Sequence, residues 1–344
     1  MKDLINIIQL HFADALLCFL ILHSMTMHAQ QRVFTLMEWN CENLFDCRHD
    51  SLKNDYEWLP ESERQWSHWR YWHKLNNIGQ TIIACGERYD VSETDTISSW
   101  QLPDIVILTE VENDSVLFDL TKRSLLRKAR YEFVVTDSPD ERGIDVAVLY
   151  SPFSFSLHKV HSLRVTPVKN MRPTRDILYL KGMISKNDTL HVFAVHAPSR
   201  SGGERHSRPF RMAVTERLLS AVDSIRMISP DAKIIVAGDF NDYSKSPSLK
   251  LLRDSGLIDI SEHATGENGA LATYRYRGEW DSLDHIFSSE TLSRNVSACD
   301  IFDSPFLLEP DNTYGGVKPK RTYLGPFYRG GISDHLPLVA RFRF

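Results

Sequence analysis

The pattern of apolar and polar positions along the chain is typical of a protein that alternates strands and helices. Short apolar runs of strand length recur, and several are apolar on both faces, as expected of strands packed between two layers. We predict strands at residues 33–39, 105–108, 144–150, 190–195, 234–237 and 336–344. Segments with apolar residues every three or four positions predict helices at residues 63–87, 116–129, 205–227 and 246–254.

The first predicted helix carries a stripe of large apolar side chains at helical spacing. The stripe consists of Trp66, Trp69, Trp72, Leu75, Ile78 and Ile82. Such a stripe packs in a core far more often than it binds a ligand, so we expect its members to be buried.

The alternation of strands and helices predicts one α/β domain over residues 30–344. The sequence contains no internal repeat, no low-complexity segment and no linker rich in Pro, Gly or Ser. Residues 153–175 and 300–332 lack a clear period, and we predict long loops there.

The first 29 residues differ in pattern from the rest of the chain. Lys2 precedes an apolar run at residues 13–22, and Ala29 stands before Gln30, which resembles a signal peptide. The run is too short to span a membrane, and no transmembrane segment follows it. We therefore predict that residues 1–29 are removed and that the protein is secreted or periplasmic. The alternatives are an amphipathic helix or a misplaced start codon.

Composition and charge narrow the classes of partner. A chain of 344 residues with 42% hydrophobic and 25% charged residues can bury a large core. The formal net charge of −5 provides no general field that would attract polyanions. Any phosphate-bearing substrate must therefore be held by local groups.

Four cysteines remain after the predicted cleavage, at positions 41, 47, 85 and 299. An exported protein can form disulfides, but four buried thiols are equally compatible with this count. Their spacing does not resemble that of a zinc site.

Polar residues follow or open the apolar runs, at the predicted strand ends. They are Asn40, Glu42, Glu110, His196, Asp239, Asn241, Asp284, Asp334 and His335. Each alone has an ordinary explanation as a turn, a cap or a core histidine. Residues two apart in a strand project to the same side, so the pairs Asn40/Glu42 and Asp239/Asn241 each share a face. Carboxylates that converge at one sheet edge repel each other, which indicates a bound positive group.

Oxygen donors without cysteine select a hard cation, with Mg²⁺ favoured and Mn²⁺ or Ca²⁺ as alternatives. A Mg²⁺ ion held by a few carboxylates keeps positions free for phosphate oxygens. His196 and His335 are then suited to proton transfer or phosphate binding near neutral pH.

The ordered motifs resemble those of the endonuclease/exonuclease/phosphatase superfamily, which includes deoxyribonuclease I and exonuclease III. They are W-N-C-E-N (39–43), D-I-V-I-L-T-E (104–110), R-G-I-D-V-A-V-L-Y (142–150), V-H-A-P-S (195–199), A-G-D-F-N-D (237–242), S-L-D-H-I (282–286) and S-D-H-L-P-L (333–338). The resemblance implies a four-layered α/β sandwich, in which two central, mostly antiparallel β-sheets are flanked by helices. It also implies a Mg²⁺-dependent hydrolase that acts on phosphate esters.

The resemblance assigns a role to each matching residue. It implies that Glu110 is the main metal ligand, accompanied by Asn40, Glu42 and Asp334. It implies that Asp239 and Asn241 orient or deprotonate the attacking water and bind the phosphate. It further implies that His335, held by Asp284, contacts the phosphate or acts as a base. His196 matches the acid histidine of deoxyribonuclease-like members.

The substrate class stays open at this point. We expect a monomer that hydrolyses a phosphoester, with nucleic acid among the candidate substrates. Sphingomyelinase-type or inositol-phosphate phosphatase activity and a non-catalytic secreted binding protein are the alternatives. Five arginines lie near the motifs, and we expect them to be solvated rather than catalytic: Arg142, Arg172, Arg175, Arg200 and Arg205.

Overall fold

All six apolar runs predicted as strands form strands, and four of them continue into the polar residues of the motifs. The computed structural model describes residues 33–91, 96–185 and 188–344, so the predicted signal peptide lies outside the described residues. In chain order the strands are β1 (Val33–Leu44), β2 (Glu87–Val91), β3 (Thr96–Trp100), β4 (Ile105–Val111), β5 (Glu132–Val135), β6 (Asp145–Tyr150), β7 (Ser156–Leu163), β8 (Ile177–Ser185), β9 (Asp188–His196), β10 (Lys233–Asp239), β11 (Leu257–Asp259), β12 (Tyr274–Tyr276), β13 (Glu279–Asp281), β14 (Asp284–Ser289), β15 (Val296–Ile301), β16 (Leu308–Pro310), β17 (Val317–Pro319), β18 (Tyr323–Leu324), β19 (Phe327–Tyr328) and β20 (Leu338–Arg343).

These strands build two large mixed sheets within the described part of the chain. The first has six strands in the order β15-β20-β1-β4-β6-β5, and the second has six in the order β11-β14-β10-β9-β8-β7. Each contains a parallel pair, β1 with β4 and β9 with β10. Strand β4 contacts β9 and β10, and β6 contacts β8 and β9, so the sheets pack face to face. This confirms the predicted α/β sandwich.

Helices cover the sheets and supply much of the remaining core. They are α1 (His68–Ala84), α2 (Asp114–Phe118), α3 (Glu204–Ile228), α4 (Pro247–Asp254) and α5 (Glu290–Ser293), with 3-10 turns at Tyr56–Trp58, Leu125–Lys128 and Pro305–Leu307 and a π turn at Asp119–Arg123. Val214, Leu218 and Val222 recur every four residues on α3, and they join one buried cluster with Ile234 and Val236 of β10. Their spacing forms the apolar stripe that anchors α3 to the second sheet.

Several sequence predictions differ from the structure, among them the loop predicted at 300–332, which contains the short strands β16 to β19. The loop predicted at 153–175 contains the edge strand β7, which has no apolar run because most of its side chains are exposed. The helix predicted at 116–129 is the short helix α2 followed by a π turn and a 3-10 turn. Trp69 was predicted to be buried, but it is 65% exposed, and its ring stacks on His73 with centroids 5.0 Å apart. The rest of the stripe is buried except Trp72, which is half-buried.

The four cysteines of the described residues are free thiols, and two of them, Cys41 and Cys85, are buried. Among the described residues, no helix has both the length and the apolar character needed to cross a membrane.

A close approach between β9 and β10 makes Gly238 hard to replace. Gly238 has a φ of +149°, and a Cβ there would lie 1.9 Å from the carbonyl oxygen of Val195. We expect Gly238→Ala to lower the free energy of unfolding by about 3 kcal/mol, because neither backbone can yield without disturbing the sheet. Urea denaturation measures this loss.

Gly256→Ala is the matched control for this prediction. Gly256 also has a positive φ, +82°, but a Cβ there would meet nothing within 4 Å. Gly256→Ala should therefore lower the free energy of unfolding only through backbone strain, by about 1 kcal/mol. Equal losses in the two variants would show that the approach to Val195 is unimportant.

Candidate active site

The candidate site lies where the carboxyl ends of the two parallel pairs meet. His196 and Asp239 are register partners at the ends of β9 and β10. Asn40 is paired with Thr109, the residue before Glu110, near the ends of β1 and β4. Asn40 Nδ2 donates to Asp239 Oδ2 at 3.0 Å, which joins the two sheets at this edge. The sequence prediction that polar strand ends converge is therefore seen in the geometry.

Irregular backbone aims several of these side chains into the site. The ladder between β1 and β4 shifts register between Asn40 and Leu44. Glu42, Glu110 and Asn241 have φ angles of 48°, 59° and 50°, in the left-handed region that non-glycine residues seldom adopt. Bulges and left-handed residues of this kind redirect side chains and concentrate at functional sites.

The loop before β20 is fastened to β1. Trp39 Nε1 donates to the carbonyl oxygen of His335 at 2.9 Å, and Ser333 Oγ donates to the carbonyl oxygen of Asn40 at 2.6 Å. The His335 backbone N–H in turn donates to Ser333 Oγ at 3.1 Å. These bonds fix His335 relative to Asn40.

A buried carboxylate controls the orientation and charge of His335. His335 Nδ1 lies 2.7 Å from Asp284 Oδ2, which also accepts a 2.6 Å bond from Thr273 Oγ1. Burial alone would lower the pKa of His335, but the adjacent Asp284 carboxylate raises that pKa well above its ordinary value. His335 is therefore protonated near neutral pH, and its Nε2 is a charged donor. Asp284 is fully buried behind it, so it positions the histidine.

Asp239 is held by three donors and retains a strong affinity for protons. Oδ1 accepts the Asn241 backbone N–H at 2.7 Å, and Oδ2 accepts Nδ2 of Asn40 and, at 3.2 Å, Nδ2 of Asn241. Burial, followed by the charge of Asp284, raises the pKa of Asp239 to about 7. A carboxylate with that pKa can accept a proton from water near neutral pH.

His196 lies between two carboxylates but outside hydrogen-bonding distance of both. Its Nε2 is 3.6 Å from Asp239 Oδ2 and 3.9 Å from Glu110 Oε1. Burial, with smaller contributions from Arg175, Arg142 and His335, holds the pKa of His196 well below its ordinary value. The ring is neutral at pH 7, so it can act as an acid only when a bound anion raises its pKa.

Glu110, Glu42 and Asp334 form an acidic rim. Glu110 Oε2 accepts the Asn43 backbone N–H at 2.9 Å. Glu42 Oε1 accepts Nε of Arg321 at 3.1 Å, and Asp334 Oδ2 accepts Nη2 of the same arginine at 2.8 Å. Burial, then the charge of Asp334, raises the pKa of Glu42 to about 7.

A cleft of about 680 Å³ opens onto this rim. Eight of the nine predicted residues line it, and the ninth, Asp284, lies behind His335. Arg142, Arg172 and Arg175 line it as well. Arg175 was expected to be solvated, but it is 7% exposed, and it donates to Asp140 at 3.2 Å and to the carbonyl oxygen of Ala197 at 2.6 Å.

The donor chemistry of the rim fits a hard divalent cation. Its donors are carboxylate oxygens, and Asn40 of the same cleft adds an amide oxygen; Mg²⁺ and Ca²⁺ prefer both. Close to Asp239 and Asp284, Glu38 is fully buried, and neither of its carboxylate oxygens is hydrogen-bonded. Burial, then the charges of Asp284 and Asp239, raises the pKa of Glu38 well above its ordinary value. A raised pKa favours the protonated, uncharged form of Glu38, so the fit to a cation rests on the oxygen donors of the cleft.

Sequence reasoning missed two basic residues that support the rim. Lys74 is fully buried in α1 and donates to the Glu42 carbonyl oxygen and, at 2.8 Å, to Thr322 Oγ1. Arg321 bridges Glu42 and Asp334 from the long predicted loop. The run K-P-K-R-T at 318–322 was the one available signal, and it gave no indication of which carboxylates it would meet.

Known structures share this fold. An endonuclease/exonuclease/phosphatase family protein of Bacteroides thetaiotaomicron aligns with a TM-score of 0.57 at 14% identity, over 92% of this chain and 99% of its own. The mannosyl-6-phosphatase of the same species aligns with a TM-score of 0.57 at 15% identity, over 89% of this chain and 98% of its own. Truncated TDP2 of Caenorhabditis elegans aligns with a TM-score of 0.51 at 15% identity, over 91% of this chain and 98% of its own. At these identities the likeness concerns the fold alone.

The sequence comparisons give a family assignment but no individual relative. A search of the curated proteins found no match to this chain. The profile described as the Endonuclease/Exonuclease/phosphatase family matches residues 35–343, which include every strand-end motif discussed above. The chain therefore belongs to the endonuclease/exonuclease/phosphatase family.

Proposed function

We propose that this protein is a divalent-metal-dependent hydrolase of phosphate esters that works by in-line attack of water. The observation that carries the proposal is the placement of Asp239, a candidate base, in the same cleft as His335, a charged donor, with the carboxylate of Glu110 beside them. In-line phosphoryl transfer needs positioned water and charge neutralisation, which Asp239 and His335 would supply.

Each side chain of the cleft would have a separate role in the reaction. Asp239, whose pKa is about 7, would accept the proton of the attacking water. Asn241 would orient that water through Oδ1, while its Nδ2 donates to the Ala197 carbonyl oxygen at 3.1 Å and to Asp239 Oδ2 at 3.2 Å. His335 would donate from Nε2 to a phosphate oxygen while Asp284 holds Nδ1. His196, at the end of β9 next to Asp239, would donate its ring N–H to the phosphate.

The proposed metal site is centred on Glu110, with Asn40, Glu42 and Asp334 around it. Mg²⁺ is the expected ion, with Mn²⁺ or Ca²⁺ as alternatives. A divalent ion there would neutralise charge on the phosphate and the leaving oxygen. Export after removal of residues 1–29 and action as a monomer are part of the same proposal.

A substrate panel tests the proposal. The purified protein is incubated with plasmid DNA, abasic DNA, RNA, sphingomyelin, inositol phosphates, sugar phosphates and bis-p-nitrophenyl phosphate, each with Mg²⁺ and with EDTA. We expect at least one ester to be hydrolysed with Mg²⁺ and none with EDTA, because the rim donors select a hard cation. Hydrolysis that persists in EDTA would contradict metal dependence, and no hydrolysis would favour a binding protein.

A further inference from the structure

The bridge formed by Arg321 bears on how many metal ions the site holds. Its Nε lies 3.1 Å from Glu42 Oε1, and its Nη2 lies 2.8 Å from Asp334 Oδ2. These two nitrogens form one edge of the planar guanidinium, so a single cationic edge binds two different carboxylates at once. Both carboxylates were predicted from the sequence to be metal ligands.

The arginine is held in this position by the surrounding backbone. The neighbouring Thr322 N–H donates to Glu42 Oε2 at 2.7 Å, so both oxygens of Glu42 already accept a donor from this loop. The Thr322 hydroxyl donates to the carbonyl oxygen of Ile332 at 3.0 Å. The Gly331 N–H donates to the carbonyl oxygen of Arg321 at 3.1 Å. The loop is thereby joined both to the end of β1 and to the segment before β20.

Lys74 strengthens this attachment from the other side. It is fully buried, and its Nζ donates both to the carbonyl oxygen of Glu42 and to the hydroxyl of Thr322. Release of Arg321 from Glu42 would therefore disturb a connected set of buried hydrogen bonds. Arg321 is a built-in part of the rim.

A fixed positive charge between two carboxylates does the work that a metal ion would otherwise do there. It neutralises their mutual repulsion, and it repels a second cation that approaches the same oxygens. Glu110, in contrast, has Oε2 bonded to the Asn43 N–H, and its Oε1 has His196 Nε2 nearby at 3.9 Å. Glu110 thus keeps an oxygen available to a divalent ion.

We infer that Arg321 takes the place of a second metal ion between Glu42 and Asp334, so that the centre holds a single divalent ion at Glu110. The inference rests on the proposed metal-dependent function and specifies its metal stoichiometry. In this arrangement Glu42 and Asp334 bind Arg321 instead of the metal ion, which revises their place in the proposed metal site. The Arg321 side chain is 41% exposed along the cleft.

The first test is a count of bound Mn²⁺ by calorimetric titration and electron paramagnetic resonance. We expect one equivalent for the wild-type protein and two for Arg321→Gln, because the neutral amide frees both carboxylates. Arg321→Lys, which keeps the charge, and Arg172→Gln, which removes an arginine from elsewhere in the cleft, should both retain one. Adding Glu42→Gln to Arg321→Gln should return the count to one.

Two equivalents in the wild-type protein, or one in a folded Arg321→Gln variant, would overturn the inference. Thermal melting shows whether each variant is folded. If Arg321→Gln does not fold, a crystal structure of the wild-type protein with Mn²⁺ decides instead. One anomalous peak at Glu110 with Arg321 still bonded to Glu42 and Asp334 supports the inference, whereas a peak between those carboxylates refutes it. If the wild-type protein binds no Mn²⁺, the proposed metal dependence itself fails.

Discussion

Replacement of His335 by alanine is expected to lower kcat/KM for phosphoester hydrolysis by about 10³-fold. The change removes the charged donor that faces the cleft and leaves the Asp284 carboxylate buried without its 2.7 Å partner. Steady-state kinetics on whichever ester the panel identifies measures the effect. A His335→Ala protein that keeps a tenth or more of the wild-type activity would rule out a catalytic role for this histidine.

Asp284→Asn tests the charge of His335 while the histidine ring stays in place. The Asp284 carboxylate raises the pKa of His335, so the wild-type ring stays protonated past neutral pH, and activity should fall only as the pH rises through that pKa. The amide removes the raising charge, so the decline should begin at a lower pH. A pH–rate profile with the same alkaline limb in both proteins would contradict the assigned role.

The second large effect is expected for Glu110→Gln. Loss of the carboxylate charge should lower kcat by about 10³-fold and weaken Mn²⁺ binding, because Glu110 is the proposed principal ligand. The amide is isosteric and its oxygen can still accept the Asn43 N–H, so the fold should be retained. Kinetics and calorimetric metal titration on the same preparation measure both effects.

Glu141→Gln is the matched control for Glu110. Glu141 also lines the cleft, but its side chain is 57% exposed and lies 3.5 Å from Arg172 rather than at a strand end. We expect near wild-type metal affinity, because exposed ion pairs contribute little. If the two variants lose metal affinity equally, the effect reflects the overall charge of the cleft and Glu110 has no special role.

The sequence predicted the positions where chemistry collects because strand periodicity and strand ends are local properties. Asn40, Glu110, His196 and Asp239 each follow an apolar run, and the parallel pairs bring those ends together. The local pattern could not give the register shift after Asn40. A bulge depends on the pairing partner as well as on the bulged strand.

Contacts between distant parts of the chain account for most of what sequence reasoning missed. Arg321 is separated by 279 residues from Glu42, and a loop without a period gives no indication of such a partner. Lys74 lies on helix α1 and is fully buried, whereas lysines in folded proteins are mostly exposed. Trp69 matched the stripe, but it lies near the start of α1, where its ring stacks on His73 at the surface.

The left-handed backbone at Glu42, Glu110 and Asn241 has a consequence for laboratory evolution of this protein. Each such residue costs on the order of 1–3 kcal/mol relative to relaxed backbone, and glycine would remove that cost. Selection for heat resistance alone should therefore favour glycine at Glu110, whose side chain accepts one backbone hydrogen bond, over glycine at Glu42, whose two oxygens bind Arg321 and Thr322. A thermostability screen of this chain needs a parallel selection for catalysis, since substitutions that raise its stability at these positions would also inactivate it.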